Sequence, residues 1–395
     1  MTQPAQAFLL DAVRTPFGRY RGGLSGIRTD DLAALPLAEL VARHPDLDPA
    51  CIDDVVYGNA NGAGEDNRNV ARMALLLAGL PVSVPGMSIN RLCGSGGEAL
   101  ISAARDVRSG DARLVVAGGV EGMSRAPYVL PKPDEVLPRA MRLEQTTVGW
   151  RLVNPKFPSH WTDPLGACAE RVAAELGIGR DAQDEWAARS HQRAYAAWEA
   201  GRHDDYVMKV EGVLRDENIR SDCTPDSLAG LKPAFSTDGT ITAGNSSPIN
   251  DGAIATFVGD RGAAERLGVS PLGRIVTAAT AAVEPDRFSV APVPAVRKAL
   301  AQARVRVEDV DLWEINEAFA AMVLSTLHGL PEVDVERVNV NGGAIAMGHP
   351  LGASAPRVVV DLCRELRRRG GGIGVACACI GVGQGQAVVV EVAAG

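Results

Sequence analysis

The chain has 395 residues, 46% of them hydrophobic, with 40 basic against 48 acidic side chains for a net charge of −8. That is enough apolar material for two or three domains with sizeable cores, and it excludes a disordered chain. The acidic balance argues against a general nucleic-acid or membrane-surface binder and leaves room only for a local basic pocket.

Seven cysteines, at 51, 93, 168, 223, 363, 377 and 379, are an odd number scattered over a long chain. They do not read as a disulfide framework and fit a reducing compartment. Met1 to Ala7 is polar with no basic region ahead of a long apolar core, no apolar run reaches the length of a membrane span, and the tail Val392-Ala393-Ala394-Gly395 carries no Ser-Lys-Leu signal. Cytoplasm is the expected location.

In chain order, Ala7 to Val13 reads as a strand, Asp31 to Ala42 as an amphipathic helix and Val55 to Tyr57 as the start of a second strand. The polar segment Gly64 to Asn69 enters an apolar helix from Val70 to Gly79. An extended segment ending at Asn90 is followed by Leu92-Cys93-Gly94-Ser95-Gly96-Gly97, after which Leu100, Ala103, Ala104 and Val107 recur at helical spacing. Cys93 therefore falls at a strand-to-helix turn, where free amides and the helix dipole favour thiolate. By itself such a cysteine reads as a small packing residue, and the case for a nucleophile has to come from the rest of the chain. A strand from Leu114 to Gly118 follows.

From Glu121 to about Pro248 prolines and charges increase and strand patterns thin out, as expected of an inserted subdomain. Its helix from Asp181 to Ala200 carries Trp186 and Trp198 for packing against the body of the protein. The small polar residues Thr242 to Gly252 either lie along an extended ligand or simply turn. The α/β pattern then resumes: strand Ile275 to Ala278, helix Val293 to Ala303, strand Leu312 to Ile315, strand Val338 to Val340, a glycine-rich loop, helix Ser354 to Arg369, and strands Ile373 to Cys379 and Ala387 to Val392. The order of elements around His349 repeats that around Cys93, which predicts an internal duplication bringing the two loops together.

His349, in Gly348-His349-Pro350-Leu351-Gly352, is one of six histidines. It is either structural or a base for the thiol. Cys377-Ala378-Cys379 ends a strand in the turn Gly381-Val382-Gly383. The spacing does not suit zinc, and the following strand does not suit a dinucleotide loop, which leaves packing cysteines or a second reactive thiol. Asn316, in Asn316-Glu317-Ala318-Phe319-Ala320, reads as a helix N-cap on this run alone.

Together, the Cys93 loop, the Asn-Glu-Ala-Phe-Ala run, the Gly-His-Pro-Leu-Gly loop and the Cys-Ile-Gly-x-Gly-x-Gly ending resemble the thiolase family over essentially the whole chain. The segments from Gly64 to Arg72, Thr146 to Trp150 and Cys379 to Gly385 look most like its β-ketoadipyl-CoA branch. The resemblance implies a five-layer αβαβα fold of two duplicated halves. Residues 1–120, completed by about 249–270, would form the first half, 121–248 a loop domain that binds coenzyme A, and 271–395 the second half.

The resemblance implies an acyltransferase that moves an acyl group between coenzyme A and acetyl-CoA by a ping-pong route, in fatty acid metabolism or aromatic degradation. Cys93 would accept the acyl group, His349 would activate it, and Cys379 would move the proton at the substrate's α carbon. Asn316 would hold a water that forms one oxyanion hole with His349, and the amides of Cys93 and Gly381 would form the other. Arg220, Ser227, Ala243 and Ser247 match positions that contact coenzyme A, which is a substrate; no cofactor and no metal are implied. The partners implied are acyl-CoA substrates and a second copy of the chain in a homodimer or homotetramer, with no nucleic acid or membrane. A thiolase-like acyl-CoA or lipid binder with little catalysis is the alternative.

The chain departs from the family pattern at Phe288-Ser289-Val290-Ala291-Pro292, where Met-Gly-x-Gly-Pro is common, which predicts a narrowed or rerouted acyl pocket. Pro248, Cys168 and Ala355-Pro356 depart as well.

Overall fold

The structure, a computed structural model, describes residues 5–394. The first half contains β1 (Phe8–Arg14), β2 (Gly18–Arg19), α1 (Thr29–Ala42), β3 (Asp54–Gly58), α2 (Val70–Leu77), β4 (Gly86–Ile89), α3 (Ser95–Ser109) and β5 (Leu114–Gly122). A long excursion follows with β6 (Tyr128–Val129), β7 (Glu144–Gln145), α4 (Leu165–Glu175), α5 (Arg180–Glu199) and α6 (Pro225–Ala229). The chain then returns through β8 (Asn250–Gly259) and α7 (Arg261–Leu267) to β9 (Gly273–Ala282), α8 (Pro292–Ala303), β10 (Leu312–Ile315) and α9 (Ala320–His328). It ends with α10 (Ala344–Met347), α11 (Leu351–Arg368), β11 (Gly372–Ile380) and β12 (Gln384–Val392).

The main strands form one hydrogen-bonded path, β10-β11-β12-β9-β1-β8-β5-β3-β4, with β2 on β8. Among the described residues, the two halves of this path join where Phe8 pairs with Arg274 and Leu9 with Gly273. In the first half β8 runs antiparallel to β5, which is parallel to β3. In the second half β12 runs antiparallel to β11, which is parallel to β10. The same motif is thus built twice.

Alternation along the strands divides the core into layers. On β5, Leu114, Val116 and Val120 pack in a cluster with α1 and α2, whereas Val115 and Ala117 face a second cluster containing α3 and α11. On β12, Val388, Val390 and Val392 share that central cluster, while Ala387 and Val389 pack with α8 and α9. Strands buried on both faces explain the near-continuous apolar runs in the sequence. The layers are therefore helix, sheet, helix pair, sheet, helix.

One expected strand is replaced by an asparagine. Val338 to Val340 makes a single parallel bridge, from Val338 to Trp313. Asn339 has φ 47°. Its side chain takes over the ladder, accepting from Ile315 N at 2.8 Å and donating to Ile315 O at 2.9 Å. Once a side chain fills both bonds, the backbone is free to turn into the loop that precedes His349.

Candidate active site

The duplication places two side chains at equivalent points. Cys93 stands two residues before the first residue of α3, and His349 stands two residues before that of α11. The two helices pack side by side in the central layer with almost no side chain between their N-termini. A Cβ on Gly96 would lie 2.1 Å from Gly352 O, and one on Gly352 would lie 2.4 Å from Gly58 O. Pro356, which cannot donate, leaves the Gly352 carbonyl without its usual helical partner.

Cys93 is 8% exposed, and its sulfur is faced by the backbone N–H groups of Gly381 and of Cys93 itself. Both amides adjoin left-handed backbone: Leu92 has φ 49° and Val382 φ 61°. For a β-branched residue such as Val382 that conformation is strained, and strain of this kind persists where surrounding structure fixes the geometry. The sequence predicts thiolate character at this turn, but burial acts the other way. It pushes the Cys93 thiol up to about 11, with the two amides opposing and the Glu121 charge adding slightly. Desolvation outweighs two hydrogen bonds.

Asn316 and His349 are brought together: Asn316 Nδ2 lies 3.4 Å from His349 Nε2. Asn316 does not cap a helix, because α9 starts at Ala320 with Phe319 as its N-cap. Instead its backbone N–H donates to Cys377 O at 2.9 Å, and its side chain is fully buried with Oδ1 unpartnered. His349 Nδ1 lies 2.6 Å from Ser354 Oγ, which is itself 2.9 Å from the Pro350 carbonyl. The His349 N–H donates to Asn250 Oδ1 at 2.9 Å. Burial, followed by the Arg357 charge, lowers the His349 imidazole to about 4, so it is neutral at neutral pH. Cys379 is 1% exposed, and its thiol is raised well above the ordinary range by burial, then by the neighbouring Cys93 and Cys377. It is an acid that holds its proton.

A cavity of about 430 Å³ opens over Cys93, and the segment from Thr146 to Leu152 forms one wall. Gly381, Glu121 and Leu351 also line it. Phe288 does not. It is buried with its ring 6.3 Å from that of Phe319, so the departure predicted to narrow the pocket is absorbed into core packing.

The four positions matched to coenzyme A lie apart from this lining. Arg220, Ser227 and Ala243 are exposed and Ser247 is half-buried. Ser227 Oγ also accepts from Thr224 N at 3.0 Å, completing a capping box on α6, while Ser247 N donates to Ala318 O at 2.9 Å. The small polar loop thus docks on the Asn316 to Phe319 run.

Sequence reasoning missed three supports. Glu317 is fully buried and accepts from Trp186 Nε1, Ser190 Oγ, Asn339 Nδ2 and Ile345 N at 2.6 to 3.1 Å, tying α5 to the loops on either side of the site. Glu121 accepts from Ala60 N, Asn61 N and Gly352 N at 3.0 Å each, and burial raises its carboxyl to about 7. Ser354 orients the imidazole. The available signals were a polar pair closing an apolar strand at Asn316-Glu317 and a lone serine five residues beyond the histidine.

The chain matches the family profile described as thiolase, N-terminal domain, over residues 7–261 and that described as thiolase, C-terminal domain, over residues 269–392. It is 50% identical over 378 residues to the beta-ketoadipyl-CoA thiolase of Escherichia coli, covering 93% of this chain and 94% of that protein. It is 45% identical to the beta-ketoadipyl-CoA thiolase of Acinetobacter baylyi, covering 98% and 99%. The crystal structure of human mitochondrial 3-ketoacyl-CoA thiolase in complex with CoA superposes with a TM-score of 0.92 at 36% identity, covering 99% of this chain and 98% of that one.

Proposed function

Since the chain belongs to the thiolase family, we propose that its acyl transfer between coenzyme A and acetyl-CoA runs through Cys93, His349, Asn316 and Cys379, on 3-oxoacyl-CoA substrates of the dicarboxylic, β-ketoadipyl type. The protein is an acyltransferase. The observation that carries the residue assignment is the Cys93 sulfur faced by two backbone amides, at the junction of two helix N-termini that also deliver His349.

In the thiolytic direction the Cys93 sulfur attacks the 3-oxo carbon while its proton passes to His349 Nε2. The carbonyl π pair moves to oxygen, where the amides of Cys93 and Gly381 receive the charge. The C2–C3 bond then breaks with its electron pair on C2, and the Cys379 thiol protonates that carbon, releasing acetyl-CoA. The enolate oxygen is met by His349 and by a water held at Asn316 Oδ1, a buried acceptor of the sort ordered water satisfies. Coenzyme A completes the cycle. Its thiol proton goes to Cys379, its sulfur attacks the acyl-Cys93 carbonyl, and the Cys93–acyl bond breaks with the proton returning from His349. A resting thiol at about 11 and an imidazole at about 4 mean that attack and proton transfer are coupled, with no standing ion pair.

The excursion between β5 and β8 supplies Arg220, Ser227, Ala243 and Ser247, which we assign to coenzyme A as substrate, with no further cofactor. The bare edge of β4 and the exposed apolar arm bearing Val136, Leu137 and Met141 support a homodimer or homotetramer. Among the described residues no helix is long and apolar enough to cross a membrane; we place the protein in the cytoplasm. An acyl-CoA or lipid binder without turnover is not favoured, because all four reacting side chains are present. Steady-state comparison of acetoacetyl-CoA, a neutral medium-chain 3-oxoacyl-CoA and β-ketoadipyl-CoA tests the assignment. No turnover on any of them would defeat it.

A further inference from the structure

The cavity over Cys93 has a mostly apolar wall, including Leu92, Met123 and Trp150, and one cationic side chain, Arg151. Arg151 follows Trp150 in the segment that covers the cavity and is half-buried. Its Nη2 donates to Asn61 Oδ1 at 3.2 Å, and it makes no ion pair among the described residues. Asn61 in turn donates from Nδ2 to Thr146 Oγ1 at 3.2 Å, so a neutral side chain fixes both the cation and the start of the covering segment. The other charged group in the lining, Glu121, has its carboxylate occupied by the three backbone amides of Ala60, Asn61 and Gly352. An unpaired guanidinium held by a neutral acceptor in a cavity of this size is arranged to meet an anion that arrives with the ligand.

We propose that Arg151 reads the distal carboxylate of a dicarboxylic 3-oxoacyl chain and so sets the preference of this enzyme for such substrates over neutral chains of equal length. This rests on the assignment of the cavity as the acyl site. The guanidinium fork pairs with a carboxylate through two parallel bonds, which gives that pairing directional specificity as well as strength. A neutral chain would leave the cation facing apolar carbon. A phosphate of coenzyme A offers similar chemistry, but every substrate carries it, so it cannot produce a preference among acyl chains.

The test compares kcat/KM for 3-oxoadipyl-CoA and for 3-oxohexanoyl-CoA, which has the same six-carbon chain without the second carboxylate, in the wild type, Arg151→Met and Arg151→Lys. The expected result is a wild-type preference for the dicarboxylic substrate that falls about 30-fold in Arg151→Met, the scale of one lost charge-assisted pair. Arg151→Lys, which keeps the charge and loses the fork, should recover part of that preference. The neutral substrate is the internal control for folding. Equal losses on both substrates, as a contact to coenzyme A or a structural role would give, overturn the inference, as does a preference that survives in Arg151→Met. A wild type that turns over acetoacetyl-CoA and shows no preference for the dicarboxylic chain overturns the substrate assignment itself, and this inference with it.

Discussion

Ser354 fixes which nitrogen of His349 can act as a base. The hydroxyl carries one proton and donates it to the Pro350 carbonyl at 2.9 Å, so at 2.6 Å from Nδ1 it accepts, and Nδ1 holds the imidazole proton. Nε2 then presents its lone pair on the side of Asn316 Nδ2. Replacing Ser354 with Ala should lower kcat by about ten-fold, a fraction of the roughly 10²–10⁴-fold a positioned base supplies because the imidazole itself remains, with KM for coenzyme A little changed. Equal loss in kcat and coenzyme A affinity would point to general disruption instead.

The depressed imidazole sets the pH profile. His349 works as the neutral base, so activity is lost as pH falls through its value of about 4 and is retained above it. The acid limb of kcat/KM should therefore lie well below the ordinary imidazole range. Glu121 titrates near 7 in the same cavity, so the profile is best read beside that of Glu121→Gln. A His349 limb near 6.5 that persists in that variant would contradict the buried, neutral imidazole.

Acylation should be confined to one sulfur. Incubation with acetoacetyl-CoA is expected to add one acetyl group at Cys93, seen by intact mass and peptide mapping, and Cys93→Ala should abolish both adduct and turnover. Cys51 is the exposed cysteine and the natural site of adventitious labelling, so the measurement is cleanest with Cys51→Ser. Iodoacetamide labelling of Cys93 should keep rising above pH 9, as a thiol near 11 requires.

Asn316→Ala removes a buried polar group that touches the base. Loss of one oxyanion-stabilising element costs about 3 kcal/mol of barrier, or roughly a hundred-fold in kcat. Acylation and turnover measured separately by rapid quench should show the carbon–carbon cleavage step slowed most.

Stability of the join between the first half and the excursion depends on Arg14. Its guanidinium is fully buried and bonds both oxygens of Asp216, at 2.6 and 2.8 Å, with Tyr206 Oη at 3.1 Å. Asp216→Asn would leave that cation without its counter-charge, a change that costs about 3 kcal/mol or more. The denaturant midpoint should fall accordingly. An unchanged midpoint would mean that the pair contributes nothing net.

The sequence carried the repeat clearly, because Cys93 and His349 each precede a helix whose apolar spacing is unmistakable. The match of motifs then pointed to the layers that β5 and β12 build. Interactions between distant segments were not legible. Nothing local reveals that Asn339 substitutes for a strand rung, that Glu317 receives four donors from two regions, or that Asp216 finds Arg14 across 202 positions. The resting state of the Cys93 thiol is hidden for the same reason: local amides and a helix end are visible in sequence, whereas the depth of burial that opposes them is set by the packed fold.

The close contact of Gly96 with Gly352 separates two kinds of change open to this scaffold. Nucleophile and base are aligned by main chain pressed against main chain, where any added carbon would collide, so their spacing is closed to gradual adjustment. The wall from Thr146 to Leu152 is a covering segment that takes no part in that contact. New acyl groups can therefore be accommodated by rewriting a short stretch of surface sequence, with the reacting atoms left where they are.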